Sequence, residues 1–308
     1  MKKATIAAAL MLAALPLAAQ QTGVRVTARN AADNSLAFDA AITGYGTFTI
    51  RLAVADIRNH AGDDALTVTV TTGNEGGEIL SIAPQDAARP VTADFSWDWI
   101  NGTLDATPDL GFIYRLPIAA GKSTTVRSLT PAEAGMMRDN IADFRMWEFA
   151  MERNEPVFAI RKGTVIHVEG YDAENGQAGG GTIIVEHADG TQARYASLRS
   201  GSALVAPGDT IFPDTPIALA GGFSPEKAGE LRSGGYGVQV GLYRYASNRN
   251  TALYPHMMAQ TEFINPLFMT ATGNGLLTDG QRATAKTTKK LLDAESGRTS
   301  FWERVFGR

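Results

Sequence analysis

Lys162-Gly163-Thr164-Val165, then Gly181-Thr182-Ile183-Ile184-Val185-Glu186-His187-Ala188-Asp189-Gly190, then Arg194-Tyr195-Ala196-Ser197-Leu198 decide how the second half of the chain reads. These are short runs of β-branched and aromatic residues punctuated by glycine and aspartate, the pattern of strands joined by tight turns. A glycine-rich hairpin region around Gly176 to Gly181 precedes the second run and has no phosphate-binding spacing. Strand character extends from about Met146 to Met269 and predicts a β domain over 146–270.

Upstream, Val24-Arg25-Val26-Thr27, Thr47-Phe48-Thr49-Ile50-Arg51-Leu52 and Ala65-Leu66-Thr67-Val68-Thr69-Val70 alternate with period two, which turns one side of each strand inward. Turns at Asp33-Asn34-Ser35, Gly44-Tyr45-Gly46, Ala61-Gly62-Asp63-Asp64 and Gly73 to Gly77 separate them, so residues 22–128 are expected to form an antiparallel, immunoglobulin-like sandwich. The fold class is therefore mainly β. Trp97 and Trp99 lie two apart on one strand face and are expected to pack the core or a domain junction rather than form a platform for a sugar or peptide. Thr130-Pro131-Ala132-Glu133 has the form of a capping box with proline at the first helical position, and predicts a linker helix over 129–145, weakened by Gly135.

The two ends read differently. Lys2 and Lys3 followed by the apolar stretch Ala4 to Leu17 and the small residues Ala18-Ala19 predict a cleaved secretory signal over 1–19. The stretch is short for a membrane span, and no later run of about 18 apolar residues exists. A secreted or periplasmic protein without a transmembrane span is expected. At the other end, 271–308 reads as a polar tail in which Phe301, Trp302, Val305 and Phe306 have helical spacing and predict a terminal amphipathic turn.

Composition narrows the chemistry. In 308 residues there are no cysteines and four histidines, which excludes a disulfide framework, a thiolate nucleophile, an iron-sulfur cluster and cysteine-ligated zinc. A net charge of -4, from 28 basic and 32 acidic residues, argues against a nucleic-acid partner. Neither a nucleophile elbow nor a P-loop is present.

The ordered series in the second half carries a resemblance. Trp147-Glu148-Phe149-Ala150 and Asn154-Glu155-Pro156-Val157-Phe158-Ala159 lead into the strands quoted first; Val205-Ala206-Pro207-Gly208-Asp209-Thr210, Pro216-Ile217-Ala218-Leu219-Ala220-Gly221 and Ile264-Asn265-Pro266-Leu267 follow. Together these resemble the lysostaphin-type zinc peptidase family M23, the LytM-like or duplicated-hybrid-motif fold, over roughly residues 140 to 270. Phe112-Ile113-Tyr114-Arg115-Leu116-Pro117 with Gly121-Lys122-Ser123 more loosely resembles the end of the β domain that some exported M23-like proteins carry upstream.

The resemblance implies a zinc site built from an H-x-x-x-D motif and the second His of an H-x-H, with further His residues, in the H-x-H and in a Tyr-Ala-His-Leu segment, assisting catalysis. Three ligands and an open position would lower the pKa of a bound water towards about 7. Aligned on Pro156, the motif's Asp falls on Glu148 and its His on Phe144. The Tyr-Ala-His-Leu His falls on Ser197, and the H-x-H pair on Gly237 and Gln239. One carboxylate and one amide are a poor zinc set, so no metal and no catalytic residue are expected. Trp147, Tyr195 and Tyr236, beside these positions, are expected to line the groove. His187 stands at a turn in a structural role, and His167 and His256 are read as surface or satisfied histidines.

The reading that follows is an exported, inactive M23-like protein that binds cell-wall peptide or an envelope protein and regulates peptidoglycan hydrolysis. One alternative is an active metalloendopeptidase holding zinc with Glu148 and His167 or His256. Another is a structural or adhesive envelope protein that makes its contacts through the sandwich.

Overall fold

The computed structural model describes residues 22–136, 141–170, 180–213, 215–222, 235–249 and 257–286. Among these residues every regular element is a strand, and no helix is long and apolar enough to cross a membrane. The signal segment, most of the Gly176 to Gly181 region, His256 and the terminal amphipathic turn lie outside the described residues.

Six strands, β1 (Gly23–Asn30), β2 (Leu36–Thr43), β3 (Phe48–Arg58), β4 (Leu66–Thr72), β5 (Gly77–Ile82) and β6 (Thr92–Asn101), make two antiparallel sheets ordered β1-β2-β5 and β4-β3-β6. The chain changes sheet after β2, β4 and β5, as in an immunoglobulin-like sandwich. Period-two alternation works as expected in β3, where Phe48, Ile50, Leu52 and Val54 are buried. Ile50, Leu52 and Val54 meet Val26, Phe38, Ile82 and Val91 in a core of their own. Trp99 packs against this core, its ring 6.0 Å from that of Phe48. Trp97 stacks on Phe95 at 5.9 Å, and its indole N–H donates to the Val24 carbonyl at 3.3 Å, tying β6 to β1 across the two sheets.

The remaining strands are β7 (Ile113–Arg115), β8 (Ser123–Ser128), β9 (Ile141–Ala142), β10 (Met146–Met151), β11 (Pro156–Phe158), β12 (Gly163–Glu169), β13 (Gly181–Glu186), β14 (Gln192–Leu198), β15 (Thr210–Ile211), β16 (Pro216–Leu219), β17 (Gly221–Gly222), β18 (Tyr236–Ser247), β19 (Ala259–Ile264), β20 (Leu267–Thr270), β21 (Gly273–Gly275) and β22 (Arg282–Thr284). A large sheet runs β15-β12-β13-β14-β18-β10-β8-β22, with β17, β19 and β9 attached to its side. Small sheets β11-β16 and β21-β20-β7 complete the body. One face of the large sheet is apolar and joins Phe149, Val185, Tyr195, Val240 and Phe268 in the main core. On the other face Met146, Tyr243 and Phe263 form a satellite cluster with Leu129 and Ala134.

Three expectations from sequence are corrected. The linker helix is absent from the described part of 129–145: Thr130 and Glu133 do form a capping box, with Thr130 N–H donating to Glu133 Oε2 at 2.8 Å, but the turn stops at Gly135, whose φ of +68° leaves the right-handed helical region. Residues 141–142 are then a strand. The first domain ends earlier than 128, because β7 pairs with β20 and β8 with β10. Nor does the second end at 270, since β21 pairs with β20 and β22 with β8, so the tail's first part belongs to the body.

The sandwich sits against the large sheet through polar contacts. Thr47 N–H donates to Glu186 Oε2 at 2.9 Å, Gln192 Nε2 to the Asn101 carbonyl at 2.7 Å and Arg244 Nη1 to the Ala106 carbonyl at 2.7 Å. Gly46 makes the first of these approachable: at φ +87° it carries the chain so close that a Cβ there would lie 2.6 Å from Glu186 Oε2 and 2.5 Å from Ile166.

Candidate functional site

Residues directly opposite on neighbouring antiparallel strands present side chains to the same face. Arg127 on β8 faces Glu148 on β10, Glu148 faces Gln239 on β18, and Gln239 faces Ala196 on β14. These four make one row across the large sheet, on the side away from the main core. Ser197 follows Ala196 with φ +57°, a left-handed conformation that costs a residue with a Cβ about 1 kcal/mol or more. Gly237 faces both Ala150 and Gly221, and a Cβ on Gly221 would come 2.3 Å from the Ser197 carbonyl oxygen. Glu148, Gln239 and Gly237 thus lie on the paired strands β10 and β18, with Ser197 at the end of β14 on the far side of β18.

Phe144 behaves differently. Its ring lies 4.9 Å from that of Phe263 and joins the satellite cluster, so a hydrocarbon stands where the resemblance implies an imidazole ligand. Trp147 and Tyr195 are corrections to the expected groove: both alternate to the opposite face and are buried in the main core, where the Tyr195 hydroxyl accepts from the Ile160 N–H at 2.8 Å. Tyr236 is half-buried at the start of β18, with the Arg153 guanidinium 5.8 Å from its ring centre.

Glu148 is only 1% exposed, and a buried carboxylate needs a counter-charge. Arg127 supplies one in a two-point arrangement, Nε to Oε1 at 3.2 Å and Nη2 to Oε2 at 3.0 Å, and its Nη1 donates to Glu133 Oε1. Burial would depress the guanidinium, but the two carboxylates outweigh it and hold its pKa above the ordinary arginine value. Glu133, partly buried, is held below the usual carboxylate range by the Thr130 N–H and by Arg127. Sequence reasoning missed this pairing. The capping box was visible, but as a helix start, and nothing in the sequence around Arg127 shows that β8 lies beside β10.

Could these residues hold zinc? The four grouped positions offer one carboxylate, already engaged by a guanidinium, one amide, a serine and a glycine, without an imidazole. Such a donor set does not fit zinc, which favours nitrogen or sulfur donors. Among the described residues no group of three or more His, Asp and Glu is arranged to hold a metal. His167 cannot join Glu148, because β12 and β10 are four strand spacings apart in the sheet, about 19 Å.

The other histidines are structural or peripheral. His187 is buried at the turn between β13 and β14, its Nδ1 2.9 Å from Thr191 Oγ1. Burial, reinforced by the charge of Arg161, pushes its pKa down to about 3. Next to it Arg161 and Asp189 form an ion pair at 2.7 Å. Asp189 drops to about 2 because the Thr191 hydroxyl and Arg161 overcome its burial. His60 is on the sandwich, its Nδ1 3.4 Å from the Ala83 carbonyl.

Comparison with known proteins now bears on this arrangement. Residues 145–257 match the model of Peptidase family M23, so the segment carrying β10 to β18 is of M23 type. Among solved structures, a zinc-containing peptidase from Vibrio cholerae is 15% identical, with 71% of this chain and 74% of that one covered at a TM-score of 0.31. The antimicrobial peptidase lysostaphin from Staphylococcus simulans is 21% identical, covering 37% of this chain and 39% of that chain, TM-score 0.24. Csd3 from Helicobacter pylori is 9% identical, covering 73% and 67%, TM-score 0.27. No curated protein matches the chain.

Proposed function

We propose that this is an exported, catalytically inactive protein of M23 type that binds cell-wall peptide or an envelope protein and so regulates peptidoglycan hydrolysis. One observation carries the reading: the carboxylate at the family's metal-ligand position, Glu148, is buried against a guanidinium, and its neighbours at the other family positions are Ser197, Gly237 and Gln239. A hydrolytic site needs an activated water, and none of these side chains can lower the pKa of one. The matching segment supplies the cell-wall context. The amino-terminal segment with its two lysines and apolar run supports export.

Purified protein incubated with sacculi, with and without added zinc, tests this. The expected outcome is co-sedimentation with the wall, or capture of a wall hydrolase whose activity changes, and no released muropeptides under either condition. Zinc-dependent release of muropeptides by the protein alone would overturn it.

A further inference from the structure

Arg194 is a cation without a counter-charge among the described residues. It lies on β14 two residues before Ala196, so it shares the face of the row Arg127, Glu148, Gln239 and Ala196, about 7 Å nearer the sandwich. Opposite it stand Gly241 on β18 and Ile184 on β13. The space over Gly241 is filled by hydrocarbon, since a Cβ there would lie 2.6 Å from Met146 and 2.9 Å from Phe263. Arg51, Arg127, Arg161 and Arg244 are also withdrawn from solvent, and each meets a carboxylate. By contrast, Arg194 Nη1 is buried with no hydrogen-bond partner. Burial holds the guanidinium below the ordinary arginine value, and neither Tyr243 nor Glu169 makes up the difference.

The neighbouring polar groups are committed elsewhere. In the next row towards the sandwich, the Tyr243 hydroxyl donates to Gln192 Oε1 at 2.9 Å, and Gln192 Nε2 donates to the Asn101 carbonyl at 2.7 Å. The sandwich thus closes that end of the face, where Leu104 also bridges to Tyr245. A segment lying along β14 from the family positions reaches the guanidinium and then meets a wall, a place for a chain end rather than a chain middle. An unpaired, desolvated guanidinium is costly to keep, and its fork matches a carboxylate in two-point geometry. We propose that Arg194 anchors the terminal carboxylate of a peptide bound on this face, which rests on the peptide-binding reading above and names the group recognised.

Titration calorimetry of the full chain with diacetyl-lysyl-D-alanyl-D-alanine and with its carboxamide tests this, because the two probes differ only in the terminal charge. The free acid is expected to bind about tenfold or more tightly than the amide. Arg194→Met should bind both equally weakly. It should also melt no lower than wild type, because an apolar side chain replaces an unpaired buried charge, whereas loss of a structural guanidinium would lower the melting temperature. Equal affinity of wild type for acid and amide, no binding of either, an Arg194→Met variant that keeps the preference, or one that melts lower or does not fold, would each overturn the inference. The comparison of acid with amide in wild type needs no variant. If wild type binds neither probe but captures a wall hydrolase, the inference fails and the regulatory reading stands; zinc-dependent release of muropeptides overturns that reading and leaves a preference for the acid intact.

Discussion

The imidazole of His187 refuses a proton until about pH 3 in the folded chain, whereas its ordinary value is 6.5. The unfolded chain therefore binds one more proton between those limits, and stability that is full above pH 6.5 falls as the pH drops towards 3, with a slope approaching 1.4 kcal/mol per pH unit. Asp189, at about 2 against an ordinary 3.8, continues the loss below pH 3.8. His187→Gln is expected to flatten the upper part of this decline, read from urea midpoints at pH 7, 6, 5, 4 and 3, while leaving the part below pH 3.8 owed to Asp189. An unchanged slope in the variant would assign the acid sensitivity elsewhere. Residue by residue, what the sequence could tell depended on whether the partner was local. Glu148, Ser197, Gly237 and Gln239 were placed by motif spacing alone, and they fall on the neighbouring strands β10, β14 and β18, while the burial of His187 was legible from its turn. The Arg127 partnership was not, and Trp147 and Tyr195 were assigned to the groove on sequence proximity alone, when period-two alternation turns them to the core.

At the scale of elements, the strands with strong period-two patterning, β1, β3 and β4, appear where alternation puts them. Those formed by small or mixed residues do not announce themselves. The helix expected after Thr130 failed although its cap formed, because a cap satisfies the first turn but cannot extend past a residue in the left-handed region, and Gly135 is that residue. Polar composition hid β21 and β22 because their stability comes from distant partners, β20 and β8, rather than from their own sequence. Close approach of β17 to β14 depends on one missing side chain. Gly221→Ala would drive a methyl into the Ser197 carbonyl from 2.3 Å, and is expected to cost about 1–3 kcal/mol in urea unfolding as β17 is pushed away from β14. A neutral result would mean that β17 shifts without loss.

For the molecule as a whole, the junction between sandwich and large sheet contains a poorly satisfied charge. Glu186 is buried there, with Oε2 accepting from Thr47 and Oε1 lacking a partner, and burial raises its pKa above the usual 4.5. A raised folded value stabilises the protein below pH 4.5 and withdraws that contribution as pH rises through the shifted value. Glu186→Gln is therefore expected to raise the melting temperature by about 2–4 °C at pH 8 and to have less effect at pH 4, measured by calorimetry on the full chain. A larger gain at pH 4 would contradict the sign. Immunoglobulin-like topology in the first half and an M23-type sheet in the second were both readable from sequence; the docking was not, since each of its hydrogen bonds joins a side chain to a distant main-chain group that no side-chain pattern records.

The pairing of β8 with β22 also has a temporal meaning. About 150 residues separate the two strands, so the sandwich, β8 and all of the family-matching segment are synthesised before β22 exists to flank them. Until then β8 presents a bare hydrogen-bonding edge to any other nascent chain. Ribosomes that stop a little short of residue 282 would release a protein whose large sheet is otherwise complete but whose β8 is supported on one side only, making the last few strand residues a checkpoint for the whole sheet.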